Sequence, residues 1–228
     1  MFRRIATSFL LLLATASLLS AQEGGRRGRG RGRIPSGVGG SETPSNWASI
    51  GLGFMEMAQV HDGNSNSLWD FGQGFPITFT VEHEIAAGVT AGFAGSYTRM
   101  PLVYAGASST CGTCDAHATV ATYGANFHGG APNGGDTGLY QTFDLFLGAM
   151  QFGSFEQDAS KEPLPPAKSN RDFLFSVGYG FGYGLARDWR LELLGEYMSS
   201  VHERDNLAGN AQTLARHFMV TFALRVGF

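Results

Sequence analysis

The segment HFMVTFALRVGF, residues 217–228, decides the fold, because its side chains alternate between two faces. One face carries only large apolar side chains: Phe218, Val220, Phe222, Leu224, Val226 and Phe228. The other face carries His217, Met219, Thr221, Ala223, Arg225 and Gly227. Successive side chains of a β-strand point to opposite sides of the sheet. The alternation therefore predicts a strand with one apolar face and one mainly polar face.

The same alternation recurs upstream of this segment. Residues 173–185 place aromatic and aliphatic side chains opposite a row of glycines, and residues 189–201 and 76–86 place apolar side chains opposite charged or hydroxyl ones. The pattern is less clean in three further segments and weak in a fourth: 47–58, 89–104, 138–152 and 116–127. With the C-terminal segment these make about eight strands of about 10 to 16 residues, the length that a tilted membrane strand needs.

The first 21 residues have the three parts of a secretory signal peptide. Arg3 and Arg4 form a positive start, residues 9–19 are almost wholly apolar, and Ser20 and Ala21 supply a small-residue exit. The apolar run is shorter than the roughly 20 residues that a membrane helix requires. We expect residues 1–21 to be removed after export, with cleavage after Ala16 as the alternative.

Residues 22–46 differ in composition from the rest of the chain. They include the stretch GGRRGRGRGR, and nothing in them can form an apolar face. We expect a disordered, Gly/Arg-rich periplasmic tail that is either a solvated spacer or a contact to an anionic surface, such as lipid headgroups or wall polymer.

The charge of the remaining chain excludes a class of partners. The whole sequence has 16 basic and 19 acidic residues and a net charge of −3. Residues 1–46 hold seven of the basic and two of the acidic residues, which leaves nine basic and seventeen acidic ones, a net charge of −8. An acidic domain of this kind is a poor nucleic-acid binder, so we expect no nucleic-acid partner.

The connections between the segments predict the topology. Residues 87–88 and 186–188 form tight links, whereas residues 59–74, 105–115, 153–171 and 203–213 form longer, polar ones. Short and long links alternate, as they do in outer-membrane barrels with short periplasmic turns and long outer loops. The sequence therefore predicts an all-β, eight-stranded antiparallel up-and-down transmembrane β-barrel over residues 47–228 in a bacterial outer membrane. A soluble β-sandwich or barrel with its apolar face inside is the alternative.

Aromatic residues are expected at both edges of the membrane. Such girdles flank the apolar band of outer-membrane barrels. We place Trp47, Trp189 and Phe228 near the periplasmic interface, and Trp69, Phe71, Phe75 and Phe173 near the outer one.

The last strand resembles the C-terminal targeting strand of bacterial outer-membrane proteins, with its alternating apolar positions and terminal Phe. The resemblance implies that Phe222, Leu224, Val226 and Phe228 carry the signal that the outer-membrane assembly machinery recognises. Residues 47–228 as a whole resemble small eight-stranded barrels of the OmpA/OmpX type. That resemblance implies outer-membrane lipids as surroundings, and a structural, envelope-integrity or surface-interaction role.

The polar faces of the strands predict how the lumen is filled. Eight-stranded barrels have interiors just wide enough to be filled by side chains. Glu82, Glu84, Arg190, Glu192, Glu196 and Arg225 are predicted to point into the lumen. The glycines of 173–185 leave room for them, and buried charges need partners. We therefore expect a charged network and no continuous wide pore. The alternative is that the glycines only allow sharp curvature and that lumen water solvates the charges.

The alternative functions are transport of small solutes through the barrel and enzymatic modification of lipid in the outer membrane. Ser200 and His202 share a face and vaguely resemble the site of outer-membrane lipid A deacylases, whose pattern is His-x-Ser-Asn. Arg204 stands at the position of the nucleophile, so we expect no catalytic site. We also expect no cofactor and no metal.

The two cysteines, Cys111 and Cys114, are separated by two residues, and His117 follows. In an exported protein a small disulfide in an outer loop is expected. Reversible thiols or a metal site are the alternatives.

Overall fold

The computed structural model describes residues 44–106, 111–132, 136–202 and 213–228. The predicted signal peptide and most of the predicted Gly/Arg tail lie outside these residues. Ten strands form one antiparallel sheet. Their bounds are β1 Asn46–Met57, β2 Val60–Asp62, β3 Ser67–Phe71, β4 Ile77–Ala86, β5 Val89–Gly106, β6 Thr113–Gly129, β7 Gly138–Gln157, β8 Asn170–Ala186, β9 Trp189–His202 and β10 Thr213–Gly227. Among the residues that the structure describes, no helix is long and apolar enough to span a membrane.

Eight of these strands form a closed ring. Each strand from β4 to β9 pairs with the next one along the chain, which ends at β10. β1 pairs with both β4 and β10 and so closes the ring. The ends of the ring join at Asn46 and Phe228, whose backbone N–H groups donate to each other's carbonyl oxygens at 3.1 and 2.9 Å. The predicted eight-stranded up-and-down barrel is confirmed.

The link between the first two predicted strands is different from the prediction. Residues 59–74 were expected to form a loop, but they contain β2 and β3, which pair with each other. β3 also pairs with the end of β5, at Phe71 and Leu102 for example, and an isolated bridge joins Met55 to Gly74. The two short strands therefore continue the barrel wall upward from β1 and β4.

Two inner turns are as tight as the sequence predicts. Ala87 and Gly88 connect β4 to β5, and Gly88 has a φ of 72°, a conformation that glycine adopts without a steric cost. Arg187 and Asp188 connect β8 to β9. Two-residue links keep neighbouring strands antiparallel and in register.

An apolar belt surrounds the lower part of the barrel. It consists of outward-facing large side chains that are 37 to 71 % exposed, among them Ile50, Phe79, Phe93, Phe127, Leu147, Phe181, Leu193 and Phe222. Water-soluble monomers rarely expose a contiguous apolar surface of this extent, whereas membrane barrels need one. Outward-facing Glu56, Arg99, Arg171 and Arg216 mark its outer edge. This orientation excludes the soluble alternative with its apolar face inside.

The inward-facing side chains change from polar to apolar above the belt, as β5 illustrates. In its lower part Thr90 and Ser96 face the lumen, and Phe93 faces outward. In its upper part Met100 and Tyr104 face inward and are fully buried. The upper part, which we call the outer extension, comprises β2, β3 and the ends of β5, β6 and β7 beyond the belt. It is built like a water-soluble barrel with an apolar interior, the outer core.

Several aromatic residues lie elsewhere than predicted. Trp47, Trp69 and Phe71 were expected in the interfacial girdles, but each is at most 8 % exposed and faces the lumen. Trp69 packs in the outer core against Phe152 and Phe155, with ring centroids 5.6 and 4.5 Å apart. These residues occupy inward positions of the strand alternation, and the sequence assignment of 59–74 to a loop hid two of them. Phe75, Phe173, Trp189 and Phe228 are exposed.

We expect Gly180→Ala to impair folding, because a Cβ atom at this position would lie 2.0 Å from the carbonyl oxygen of Leu193. The backbones of β8 and β9 would have to separate, at a cost of about 1–3 kcal/mol. Urea titration of the barrel refolded in lipid vesicles measures the free energy of unfolding. Gly195→Ala is the matched control on β9, since its Cβ would meet only ordinary contacts at 3.7 Å or more. Equal stability of both variants would contradict this account of Gly180.

Candidate functional site

The lower lumen contains a hydrogen-bonded group of charged and polar side chains, which we call the lumen network. At one end Arg225 of β10 and Glu82 of β4 form an ion pair at 2.5 Å. Thr90 of β5 accepts a hydrogen bond from Arg225 Nη2 and donates one to Glu82, both at 2.8 Å. Arg225 is 2 % and Glu82 3 % exposed, so each charge depends on the other for its stability.

The network continues across the barrel through an amide. Asn126 of β6 donates to both Glu82 and Asp144 at 2.7 Å. His128 lies between Asp144 and Glu192, with its Nδ1 2.8 Å from Asp144 Oδ2 and its Nε2 3.3 Å from Glu192 Oε1. Tyr140 donates to the same Glu192 oxygen at 2.7 Å. Six strands, β4, β5, β6, β7, β9 and β10, thus meet in one continuous set of contacts.

Three of the six residues predicted for the network lie outside it. Arg190 forms no ion pair within the described chain; its Nη1 donates to the carbonyl of Gly130 at 3.2 Å, and its guanidinium lies 3.9 Å from the centroid of the Trp47 ring. Glu84 accepts a hydrogen bond from the Gly88 backbone at 3.3 Å. Glu196 lies higher in the lumen and accepts one from Ser176 at 3.3 Å.

Sequence reasoning missed five members of the network: Thr90, Asn126, His128, Tyr140 and Asp144. The sequence did carry a sign of two of them: Tyr140 and Asp144 occupy, with Thr142, the positions of segment 138–152 that alternate with its outward-facing residues. Asn126 and His128 belong to β6, which was the weakest predicted segment and ends at Gly129 rather than at residue 127.

The glycines of β8 have two separate roles. A Cβ atom at Gly182 would meet the ring of Tyr140 at 2.1 Å, and one at Gly178 would meet the side chains of Glu196 and Asp144 at 3.0 and 3.1 Å. These two glycines leave room for lumen side chains, as predicted. Gly180, by contrast, permits a close approach of backbone to backbone, which corresponds to the alternative reading.

A second buried group, the outer cluster, lies above the apolar belt. His202 of β9 lies between two carboxylates: its Nδ1 is 2.9 Å from both oxygens of Asp172, and its Nε2 is 3.4 Å from Asp62 Oδ1. Asp62 also accepts hydrogen bonds from the Ser65 backbone at 3.0 Å and from Asn170 at 3.1 Å. The outer cluster therefore ties the β2–β3 hairpin to β8 and β9.

The environment of the outer cluster shifts the pKa values of all three of its titratable groups, and burial raises that of Asp172 above its usual 3.8. Burial opposes the charge on His202, but the hydrogen bonds and charges of Asp172 and Asp62 outweigh it and raise its pKa from 6.5 to about 9. Burial likewise acts against the ionised form of Asp62, yet the bonds from His202 and Ser65 lower its pKa from 3.8 to about 2. Both groups are therefore charged near neutral pH.

The other candidate residues of the sequence have defined positions. Cys111 and Cys114 are joined by a disulfide, and His117 instead contacts Asp158 and Glu156 of the adjoining wall. Ser200 forms a hydrogen bond with His217, with its Oγ 2.9 Å from His217 Nε2. Its shared strand face had suggested His202 as the partner instead. Ser200 and His217 are at most 2 % exposed.

Replacement of Arg225 by Met should destabilise the barrel by about 3 kcal/mol or more, because it leaves Glu82 buried without its counter-charge. Arg190→Met removes a guanidinium of similar size that forms no ion pair at contact distance within the described chain. It should cost about 1 kcal/mol through the lost stacking on Trp47. Urea unfolding in vesicles compares the two; a larger loss for Arg190→Met would contradict the assigned pairing.

Stability should depend on pH through His202. Its pKa is raised in the folded protein, so its contribution is fully present below pH 6.5 and is lost as pH rises through about 9. The free energy of unfolding should fall across this interval by on the order of 2 kcal/mol. His202→Gln should be less stable at pH 6.5 and show a flatter dependence. A parallel pH profile for both proteins would refute this assignment.

Comparison with known proteins gives similarity in structure only. No family model matches the sequence, and no curated protein sequence matches it. The Neisserial surface protein A structure is similar at a TM-score of 0.50, with 14 % sequence identity, covering 80 % of this chain and 97 % of that one. The outer membrane protein AlkL (TM-score 0.48, 14 % identity, 87 % and 96 % covered) and OprG from Pseudomonas aeruginosa (0.46, 9 %, 82 % and 98 %) are also similar. The chain has the fold of the small outer-membrane β-barrel proteins.

Proposed function

We propose that this protein is an integral protein of the bacterial outer membrane, with a closed lumen and a structural, envelope-integrity or surface-interaction role. The observation that carries the proposal is that two different layers fill the barrel. The lumen network occupies the part inside the apolar belt, and the outer core occupies the part above it. A barrel filled in this way acts through its outer surface rather than through its interior.

The cavities support a closed lumen. An inner vestibule of about 260 Å³ and a middle cavity of about 80 Å³ both have Arg225 in their walls. Its partner Glu82 lines the middle cavity and Thr90 lines the vestibule, so the bonded group of Arg225, Glu82 and Thr90 stands between the two cavities. The middle cavity has the volume of a few water molecules at about 30 Å³ each. Met100, Met150 and Phe152, which are fully buried, lie above it. This arrangement favours the structural role over small-solute transport.

The outer extension supports a role at the cell surface. Its wall continues well past Arg99, to Gly106 on β5. A buried interior of Trp69, Phe152, Phe155 and Leu164 holds it together. Chain segments with a packed interior present a defined surface, whereas bare loops are mobile. The extension is therefore suited to hold a binding surface in a fixed shape outside the membrane.

The remaining features fit the same proposal. The outward side chains of β10, including Phe222 and Phe228 at 55 and 68 % exposure, would be read by the outer-membrane assembly machinery before the barrel closes. Outer-membrane lipids would cover the apolar belt, and the arginine-rich residues 22–46 would reach an anionic surface. The burial of Ser200 and His217 favours a protein without catalytic activity.

Single-channel recording in planar bilayers tests the closed lumen. We expect no large, stable conductance from the protein, because an ion crossing the lumen would have to pass both the Arg225–Glu82 pair and the outer core, which fill it at two levels. Protein whose unboiled and boiled forms migrate differently on a gel provides the folded control. Stable openings of the folded protein would favour the transport barrel and reject the proposal.

A further inference from the structure

The six methionines within the described residues all lie in the barrel interior. The sequence has seven, and every one after Met1 is buried: Met55, Met57, Met100, Met150, Met198 and Met219 are 0 to 8 % exposed. Methionine fills irregular gaps well, so packing alone can account for some of them. Five neighbouring lumen positions on β1, β10 and β9, however, combine four methionines with one histidine: Met55, Met57, Met198, His217 and Met219.

The strand register brings these five residues into two rows. In the upper row Met57 is directly opposite His217, which is in turn directly opposite Met198. In the lower row Met55 is directly opposite Met219. Directly opposed residues have Cβ atoms about 4.5–5.5 Å apart, so flexible thioether side chains on both sides of His217 can converge on its ring.

His217 has the features of a ligand within this group. It is 2 % exposed, and its Nδ1 is buried without a hydrogen-bond partner. Its other nitrogen, Nε2, lies 2.9 Å from Ser200 Oγ. When Nε2–H donates to Ser200, Nδ1 carries a lone pair that no protein donor uses and that can bind a metal ion. A metal-binding histidine commonly donates its second ring N–H to a fixed partner in this way.

The chemistry of the donors selects the ion. Within the described chain no group of three or more His, Cys, Asp and Glu side chains could hold a metal ion, so a site for a hard cation has no support there. Thioether and imidazole donors instead favour Cu(I) among biological metals. The middle cavity is lined by Met198, Met219 and Glu196, which places space and a carboxylate for the charge of an ion beside the group.

We propose that His217, Met57 and Met198 form a binding site for a soft monovalent metal ion, Cu(I), with Met55 and Met219 supporting it from below. The site differs from the expectation of no metal, which considered only the cysteines. It is independent of the closed-lumen function, because the ion occupies space that the side chains already enclose.

Silver(I) in chloride-free buffer is the first probe, because it is a soft ion that needs no reductant. The folded full-length chain, labelled with ¹³C at its methionine methyl groups, should retain a single equivalent of silver after desalting. The methyl signals of Met57 and Met198 should shift on binding, and that of Met150 should not. Competition for Cu(I) with the chelator bicinchoninate then measures the affinity for copper itself.

Three variants test the ligands one at a time. Met57→Leu and Met198→Leu keep the side-chain volume, and His217→Gln can keep the bond to Ser200. Each should lower Cu(I) affinity by about tenfold or more, while the heat-dependent gel shift stays that of the folded barrel. Met150→Leu on β7 is the matched control and should bind as the parent does. Unshifted methyl signals, or an equal loss in Met150→Leu, would show that the methionines only pack the lumen and would overturn the proposal.

Discussion

The closure of β1 on β10 is the constraint on which the rest of the structure depends. In hydrocarbon no water is available to bond a free backbone N–H or C=O, so an open sheet edge is too costly there. Closing the ring after eight strands satisfies every edge, but it leaves an interior only as wide as a few side chains. The reciprocal bonds between Asn46 and Phe228 therefore also determine that the lumen is filled.

Filling a narrow interior with polar groups requires that each one has a partner. The lumen network meets this requirement with few formal ion pairs: Asn126 and Tyr140 bond to carboxylates, and Thr90 bridges Arg225 and Glu82. Above the belt apolar side chains fill most of the interior, and the few buried charges there, those of the outer cluster, are again paired. A single strand such as β5 meets both conditions without any break in its alternation.

The alternation of residues in the sequence was enough to predict the eight strands of the ring and their outward face, since these depend only on a period of two. It could not predict which lumen residues meet. That depends on the stagger of strands around the ring, which brings Arg225 to Glu82 and leaves Arg190 on Trp47. The inner placement of Trp69 and Phe71 was missed for a different reason. Residues 59–74 contain polar turn residues that are typical of a loop. The sequence alone also does not show where along a strand the membrane ends and water begins.

The outer core supports the tips of the wall separately from the membrane strands below. Tip residues such as those between β2 and β3 stand on a platform held by Trp69, Phe152 and Phe155, much as antigen-binding loops stand on an immunoglobulin framework. Substitutions at the tips can accumulate without disturbing the register of the membrane strands below. A barrel built in this way can vary the outline of its outer end while it keeps the part that must insert and close.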